Sequence, residues 1–62
     1  MSNTKLKCAI ISEEFTVKSL ADESCVHEQT IRRACNGKSI NIETANKICT
    51  TLNKTLDELF GD

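Results

Sequence analysis

The sequence contains no proline and only two glycines among its 62 residues. Because both residue types interrupt regular structure, their scarcity favours short helices joined by tight turns. Phe15 and Phe60 are the only aromatic residues, which argues against recognition of single-stranded nucleic acid by base stacking. The sequence has no signal peptide and no apolar run long enough to span a membrane. We therefore expect a protein of the cytoplasm that does not bind membranes.

The length of the chain predicts a single domain, residues 1–62. A chain this short buries only about 60% of the surface that its unfolded form exposes, so its core is small. Such a chain can hardly supply the walls of a catalytic cleft, and no nucleophile and base have the spacing of a catalytic motif. We therefore expect a binding module with no catalytic residues, no cofactor and no small-molecule ligand.

The formal net charge is −1 and the sequence pI is about 5.7, which is the main observation against nucleic-acid binding. Contact with phosphate depends, however, on where the cations lie rather than on their sum. Arg32, Arg33 and Lys38 lie close together in the sequence, whereas acidic residues dominate 57–62. The charge therefore predicts weak non-specific binding to nucleic acid but does not exclude binding.

The four cysteines, Cys8, Cys25, Cys35 and Cys49, contain no C-x-x-C pair, and His27 is the only histidine. This spacing does not match a metal finger. We interpret the cysteines as reduced thiols that fill the core as small hydrophobic side chains. A zinc site and a regulatory disulfide are the alternatives, and we expect no metal ligand.

The apolar residues recur with a helical period in five segments, 4–13, 17–24, 28–36, 42–53 and 56–60. No segment alternates as a strand does, so the predicted fold class is all-α, a compact five-helix bundle. The predicted N-caps are Asn3 or Thr4, Thr16, Asn41, and Thr55 in a capping box with Glu58. Asn36-Gly37 is expected to end the third helix. The predicted inward-facing residues are Leu6, Ala9, Ile10, Phe15, Val17, Leu20, Ala21, Val26, Ile31, Ala34, Ile42, Ala45, Ile48, Cys49, Leu52, Leu56, Leu59 and Phe60.

The segment 16–36 has the spacing of a helix-turn-helix, because about three residues around Cys25 separate two short helices. In that motif the second helix enters the major groove of DNA. At about 100° per residue, Gln29 and Arg33 lie opposite the inward-facing Ile31 and Ala34. A solvated polar face, which any surface helix has, is the alternative interpretation.

The exposed face of the third helix carries side chains that match base edges. Arginine pairs with guanine, glutamine pairs with adenine, and glutamate accepts a hydrogen bond from cytosine. Thr30 flanks this face and is assigned to phosphate. The predicted base-reading residues are Glu28, Gln29, Arg32 and Arg33.

The chain also resembles a known family along nearly its whole length. Leu20-Ala21, Val26, 30–33 and 36–38 are similar to the signature of Cro/cI-type phage repressors and their bacterial XRE relatives. The segments 42–44, 47–48 and 55–60, together with Leu52, are similar to the fourth and fifth helices of that family. The resemblance implies a lambda repressor-like domain that binds double-stranded operator DNA, usually as a homodimer, to regulate transcription.

The resemblance also assigns roles to residues outside the exposed face of the third helix. It places Gln29 and Arg33 at the main base-reading positions. His27 falls where the family has a serine or threonine that caps the helix. We expect His27 to cap poorly and to contact phosphate instead, more strongly when protonated; a surface histidine without a role is the alternative. The predicted phosphate-contacting residues are Thr16, Lys18, His27, Thr30, Asn36, Lys38 and Ser39. For Thr16 and Lys18 the alternative is simple capping and solvation.

Three features depart from the family pattern. Cys25 occupies a turn position that usually holds glycine, so a positive φ there would be strained. Val17 replaces a glutamine that binds phosphate in relatives. Ile10 and Cys35 stand where relatives have an arginine and an acidic partner, which implies an apolar contact.

The fifth helix has two interpretations. Leu56, Leu59 and Phe60 are predicted as a homodimer contact, at least on DNA, or as residues that close the core. A protein-interaction module such as an antitoxin, with secondary DNA binding, is the alternative function. A helical scaffold without DNA affinity is a further alternative.

Overall fold

The computed structural model describes residues 2–61, which form five α-helices and no strand. The predicted all-α, five-helix fold class is confirmed. The helices are α1 (Thr4–Ser12), α2 (Val17–Ser24), α3 (Glu28–Cys35), α4 (Ile42–Leu52) and α5 (Leu56–Phe60). Three helices, α1, α3 and α4, end one residue before the predicted position, because their last predicted residue caps the helix.

Each helix begins at a residue whose side chain accepts a backbone N–H of the first turn. Asn3, Thr16, Asn41 and Thr55 cap α1, α2, α4 and α5 as predicted. Such caps matter because the first four N–H groups of a helix have no partner within it. The Thr55–Glu58 capping box is present, and Thr16 forms a second one with Ser19, which the sequence analysis did not predict.

Four of the helices end in the same way, with a residue in the left-handed conformation. These residues are Glu14, Cys25, Gly37 and Asn53, with φ of 61°, 58°, 82° and 58°. In each case the next residue donates its N–H to a carbonyl five residues earlier, as in Phe15 to Ile10 at 2.9 Å. This bond is the mark of a Schellman termination, and it turns the chain sharply towards the next helix.

The core lies where all five helices meet. Leu6, Leu20, Ile31, Ile48, Leu52 and Leu59 are its largest fully buried side chains, and every helix contributes at least one of them. Burial of each such side chain contributes about 1.5–3 kcal/mol. Because α2 packs on both α3 and α4, and α1 packs on both α3 and α5, the core holds α3 in place along one side and leaves the other side free.

The prediction of an inward-facing side chain is wrong for one residue. Ile42 lies at the start of α4 with 62% of its surface exposed, although it stands three residues before the buried Ala45. The helical period was identified correctly, because Ala45 and Ile48 are buried, but Ile42 lies in the first turn of α4 and is not covered. Ile11 is exposed as well, at 74%.

The cysteines divide into two pairs. Cys35 and Cys49 are buried, as expected for core fillers, and Cys35 lies in the same core as Ile10. Burial raises the pKa of both thiols; the charge of Lys7 opposes this for Cys35, and the carboxylate of Glu58 adds to it for Cys49. All four thiols are free. Within residues 2–61, no cluster of three or more His, Cys, Asp or Glu side chains is placed to hold a metal ion.

The filler interpretation is wrong for the other pair, because Cys8 and Cys25 are exposed. Cys8 lies on the outer side of α1, and Cys25 lies in the turn before α3. Neither side chain can therefore contribute to the packing of the core.

Asn3 joins the two ends of the chain. Its Oδ1 accepts the N–H of Leu6, its Nδ2 donates to the carbonyl of Leu59 at 2.8 Å, and its own N–H donates to the carbonyl of Cys35 at 2.8 Å. One residue thus caps α1 and links it to α3 and α5. None of the helices within residues 2–61 is long and apolar enough to cross a membrane.

Candidate nucleic-acid interface

The turn between α2 and α3 sets the position of the third helix. Cys25 adopts the left-handed conformation, and the N–H of Val26 donates to the carbonyl of Ala21 at 3.2 Å. Val26 is buried, so the turn is attached to the core directly after it reverses the chain. A positive φ at this position was expected to be strained, and the φ of Cys25 is indeed positive.

Ser24 holds the end of α2 and was not recognised from the sequence. It is buried, and its Oγ donates to the carbonyl of Leu20 at 2.6 Å. This bond satisfies the hydroxyl inside the core without another side chain. A serine next to a turn has no sequence signal that separates this role from ordinary exposure.

One face of α3 is buried and the opposite face is free. Ile31, Ala34 and Cys35 are buried. Gln29 and Arg33, about 100° and 140° around the helix from Glu28, point away from this buried side and are exposed. Glutamine and arginine have long, flexible side chains, which can reach the floor of a groove from a rigid, anchored helix.

Glu28 and Arg32 lie at the edge of the free face and contact each other. A guanidinium nitrogen of Arg32 lies 3.7 Å from Glu28 Oε1, and the side chains are 68% and 44% exposed. Glu28 lies in the first turn of α3 and both arginines in the last turn, an arrangement that suits the helix dipole. Within residues 2–61, no acidic side chain pairs with Arg33.

His27 caps α3, contrary to expectation. The backbone N–H of Gln29 donates to His27 Nδ1 at 3.2 Å. The expectation of a poor cap considered only the oxygen-bearing residues that usually fill this position. An unprotonated imidazole nitrogen also accepts a hydrogen bond. Because Nδ1 is the acceptor, the neutral ring carries its proton on Nε2, where it can donate outward.

The loop after α3 is ordered by its own backbone. The N–H groups of Gly37 and Lys38 donate to the carbonyls of Ala34 and Arg33 at 3.1 and 3.0 Å. Gly37 is well suited to its φ of 82°, which side-chain-bearing residues rarely adopt. The side chains of Asn36, Lys38 and Ser39 are all exposed.

The remaining predicted phosphate-contacting residues are Thr16 and Lys18 at the start of α2 and Thr30 on α3. Lys18 is exposed, while the Oγ1 of Thr16 accepts the N–H of Ser19 at 3.1 Å. Thr16 therefore has the capping role that was its alternative interpretation. Thr30 is half-buried on the flank of α3.

The predicted site residues therefore divide into those at the start and free face of α3 and those in the flanking segments. His27, Glu28, Gln29 and Arg32 line one shallow concavity at the start of α3. The fifth-helix residues are separate from it. Leu59 is only 2% exposed and closes the core, so it offers almost no surface to a second subunit; Leu56 and Phe60 are half-buried.

Comparison with known protein families agrees with the helix-turn-helix geometry of α2 and α3. A family model described as helix-turn-helix matches residues 11–59, well over half of the chain. No curated protein and no solved structure matches the chain. The matched region contains α2, the turn at Cys25 and α3, together with the supporting helices α4 and most of α5. The chain belongs to the Cro/cI-type, XRE-like family of helix-turn-helix DNA-binding regulators.

Proposed function

We propose that this chain is a transcriptional repressor that binds a palindromic operator in duplex DNA as a homodimer. The observation that carries the proposal is the free face of α3, where Gln29 and Arg33 are exposed directly opposite the buried Ile31 and Ala34. A helix held in this way can enter the major groove with its polar face towards the bases. The whole of 1–62 acts as one domain in this proposal, in the cytoplasm and without a catalytic step.

Base recognition is assigned to the free face and its edge. Gln29 pairs with adenine and Arg33 with guanine, each through two hydrogen bonds in the major groove. Glu28 and Arg32 add contacts from the edge of the same face. Gln29, Arg32 and Arg33 are exposed and Glu28 is partly exposed, so these side chains can reorient when the groove edge approaches.

Phosphate recognition is assigned to the segments on either side of α3. Lys18 and Lys38 supply charge, and His27 supplies an outward N–H donor from Nε2. Phosphate contacts of this kind set the register of a protein on DNA but carry no sequence information. Asn36, Ser39, Thr16 and Thr30 add neutral hydrogen-bond donors.

A homodimer is assigned to the side of the molecule formed by α5. Leu56 and Phe60 retain part of their surface and give this face an apolar character. A two-fold dimer would read two half-sites about one helical turn apart, so the operator would be palindromic.

A second function is supported by two exposed apolar side chains. Ile11 and Ile42 are 74% and 62% exposed, as expected of a chain that docks another protein. In that alternative the chain is an antitoxin-like interaction module, and its DNA binding is secondary. Single exposed apolar residues are common on protein surfaces, so the free face of α3 carries more weight.

Selection of binding sites from a random duplex pool, at low and at moderate salt, tests the proposal. We expect a palindromic site whose affinity falls with salt, because phosphate contacts release bound cations. An asymmetric site would contradict only the homodimer and would leave DNA binding in place. The absence of any enriched site at low salt would contradict operator binding and favour the interaction module.

A further inference from the structure

Glu28 and Arg32 form an ion pair at the edge of the free face of α3. Glu28 and Arg32 are four residues apart, so they lie about 40° apart around the helix, one above the other. Their charged groups approach to 3.7 Å, with the Arg32 side chain mostly and the Glu28 side chain partly exposed to solvent. The pair thus presents a hydrogen-bond acceptor and a donor side by side at the edge of the face that carries Gln29.

We propose that Glu28 and Arg32 act as one unit that reads a single G·C base pair in one orientation. In the major groove, cytosine presents its N4 amino donor and guanine presents O6 and N7 as acceptors. The amino group and O6 are neighbours, because they are hydrogen-bonded to each other within the base pair. Glu28 accepts from the cytosine amino group while Arg32 donates to the guanine. This inference rests on the proposed function of α3.

Electrostatics explains why the two residues act together. A lone carboxylate at the start of α3 would be repelled by the phosphates on either side of the groove. The positive charge of Arg32, 3.7 Å away, offsets the negative charge of the carboxylate. Glu28 in turn holds the guanidinium towards the groove edge and opposes its movement to the nearest phosphate. Removal of either partner therefore weakens the contact made by the other.

The ion pair contributes little to the free energy of folding, so variants that lack it can be used to test the proposal. An exposed pair at this spacing stabilises a helix only slightly, so loss of either side chain leaves the domain folded. Arg33 provides the contrast, because it has no acidic partner within residues 2–61 and is assigned to a different base pair. Lys47, exposed on α4, provides a charge-matched control.

The experiment compares the sites selected by the wild-type chain, Glu28→Ala, Arg32→Ala, the double variant and the Lys47→Ala control. Circular dichroism checks that each variant is folded. We expect both single variants to lose the preference for the same G·C pair, by roughly 5- to 150-fold in discrimination. The double variant should lose no more discrimination than the more strongly affected single variant, since the two residues act as a unit. Lys47→Ala should keep the wild-type preference.

Three results would overturn the inference. Relaxation of two different base pairs would show that the residues read independently. An equal loss of affinity for all sequences in Arg32→Ala would make Arg32 a phosphate contact. Each of these leaves the proposed function intact, whereas failure of the wild-type chain to select any site removes the proposed function and this inference with it.

Discussion

The backbone N–H of Gln29 donates to Nδ1 of His27 at 3.2 Å, so a histidine supplies the cap of the helix that carries the predicted base-reading residues. The bond requires an unprotonated Nδ1 and leaves the proton of the neutral ring on Nε2. Protonation of Nδ1 would place an N–H against the N–H of Gln29. The sequence-based expectation that His27 contacts phosphate, more strongly when protonated, stays a prediction.

Substitution of His27 separates its two roles. His27→Ala should lower the free energy of unfolding by about 1 kcal/mol, because the N–H of Gln29 loses its acceptor. His27→Asp should restore that stability, since aspartate is a good cap beside the positive end of a helix. The same aspartate should weaken DNA binding by repelling phosphate. Urea denaturation and titration with duplex DNA measure the two effects, and equal stability of wild type and His27→Ala would contradict the capping role.

Cys25 stores strain that glycine would release. Its φ of 58° costs a residue with a Cβ atom about 1 kcal/mol or more. Cys25→Gly should therefore raise the free energy of unfolding by a few tenths to about 1 kcal/mol, since the greater freedom of glycine in the unfolded chain offsets part of the gain. Cys25→Ala is the control that removes the exposed thiol but keeps the Cβ atom. If both variants are stabilised equally, the thiol rather than the backbone is responsible.

Local rules allowed most of the fold to be predicted, and the exceptions have physical causes. The spacing of Ile31 and Ala34 was enough to find the free face of α3, because helical periodicity depends only on neighbouring residues. Ile42 obeys the same periodicity but is exposed, since burial depends on which helix happens to lie above it. The cap at His27 was missed because the usual capping residues accept through a side-chain oxygen, whereas His27 accepts through a ring nitrogen.

Long-range contacts were the hardest to predict. Asn3 was identified as a cap from its position before α1, but its bonds to the carbonyls of Leu59 and Cys35 join segments that the sequence does not relate. The split among the cysteines has the same origin. Cys49 was placed in the core by its position in the apolar stripe of α4. Cys8, in contrast, lies outside the apolar stripe that Leu6, Ala9 and Ile10 form on α1.

The four thiols should react in two classes. Cys8 and Cys25 are exposed and should react quickly with a disulfide reagent, whereas Cys35 and Cys49 should react only when the domain opens. Burial raises the pKa of the second pair, so their contribution to stability is complete below the ordinary thiol pKa and is lost as the pH rises above it. The free energy of unfolding should fall in alkaline solution. Four equal labelling rates under native conditions would contradict the division.

Lys38 tests the assignment of phosphate contacts. Because it lies in the loop after α3 and contacts no base in the proposed complex, Lys38→Ala should weaken binding to all duplexes by a similar factor. The slope of log affinity against log salt should become shallower by about one unit, since one fewer cation is released. Binding titrations at several salt concentrations measure both quantities. A change in the selected sequence would instead make Lys38 a base-reading residue.

The affinity of Arg33→Ala for the selected site and for an unrelated duplex tests most directly whether α3 reads bases. We expect a loss of about 1–3 kcal/mol on the selected site, little change on the unrelated duplex, and a relaxed preference at one base pair. Lys47→Ala, which removes the same charge from α4, should leave the difference between the two duplexes unchanged. An equal loss on both duplexes would show that Arg33 contacts phosphate and would contradict base recognition by the free face of α3.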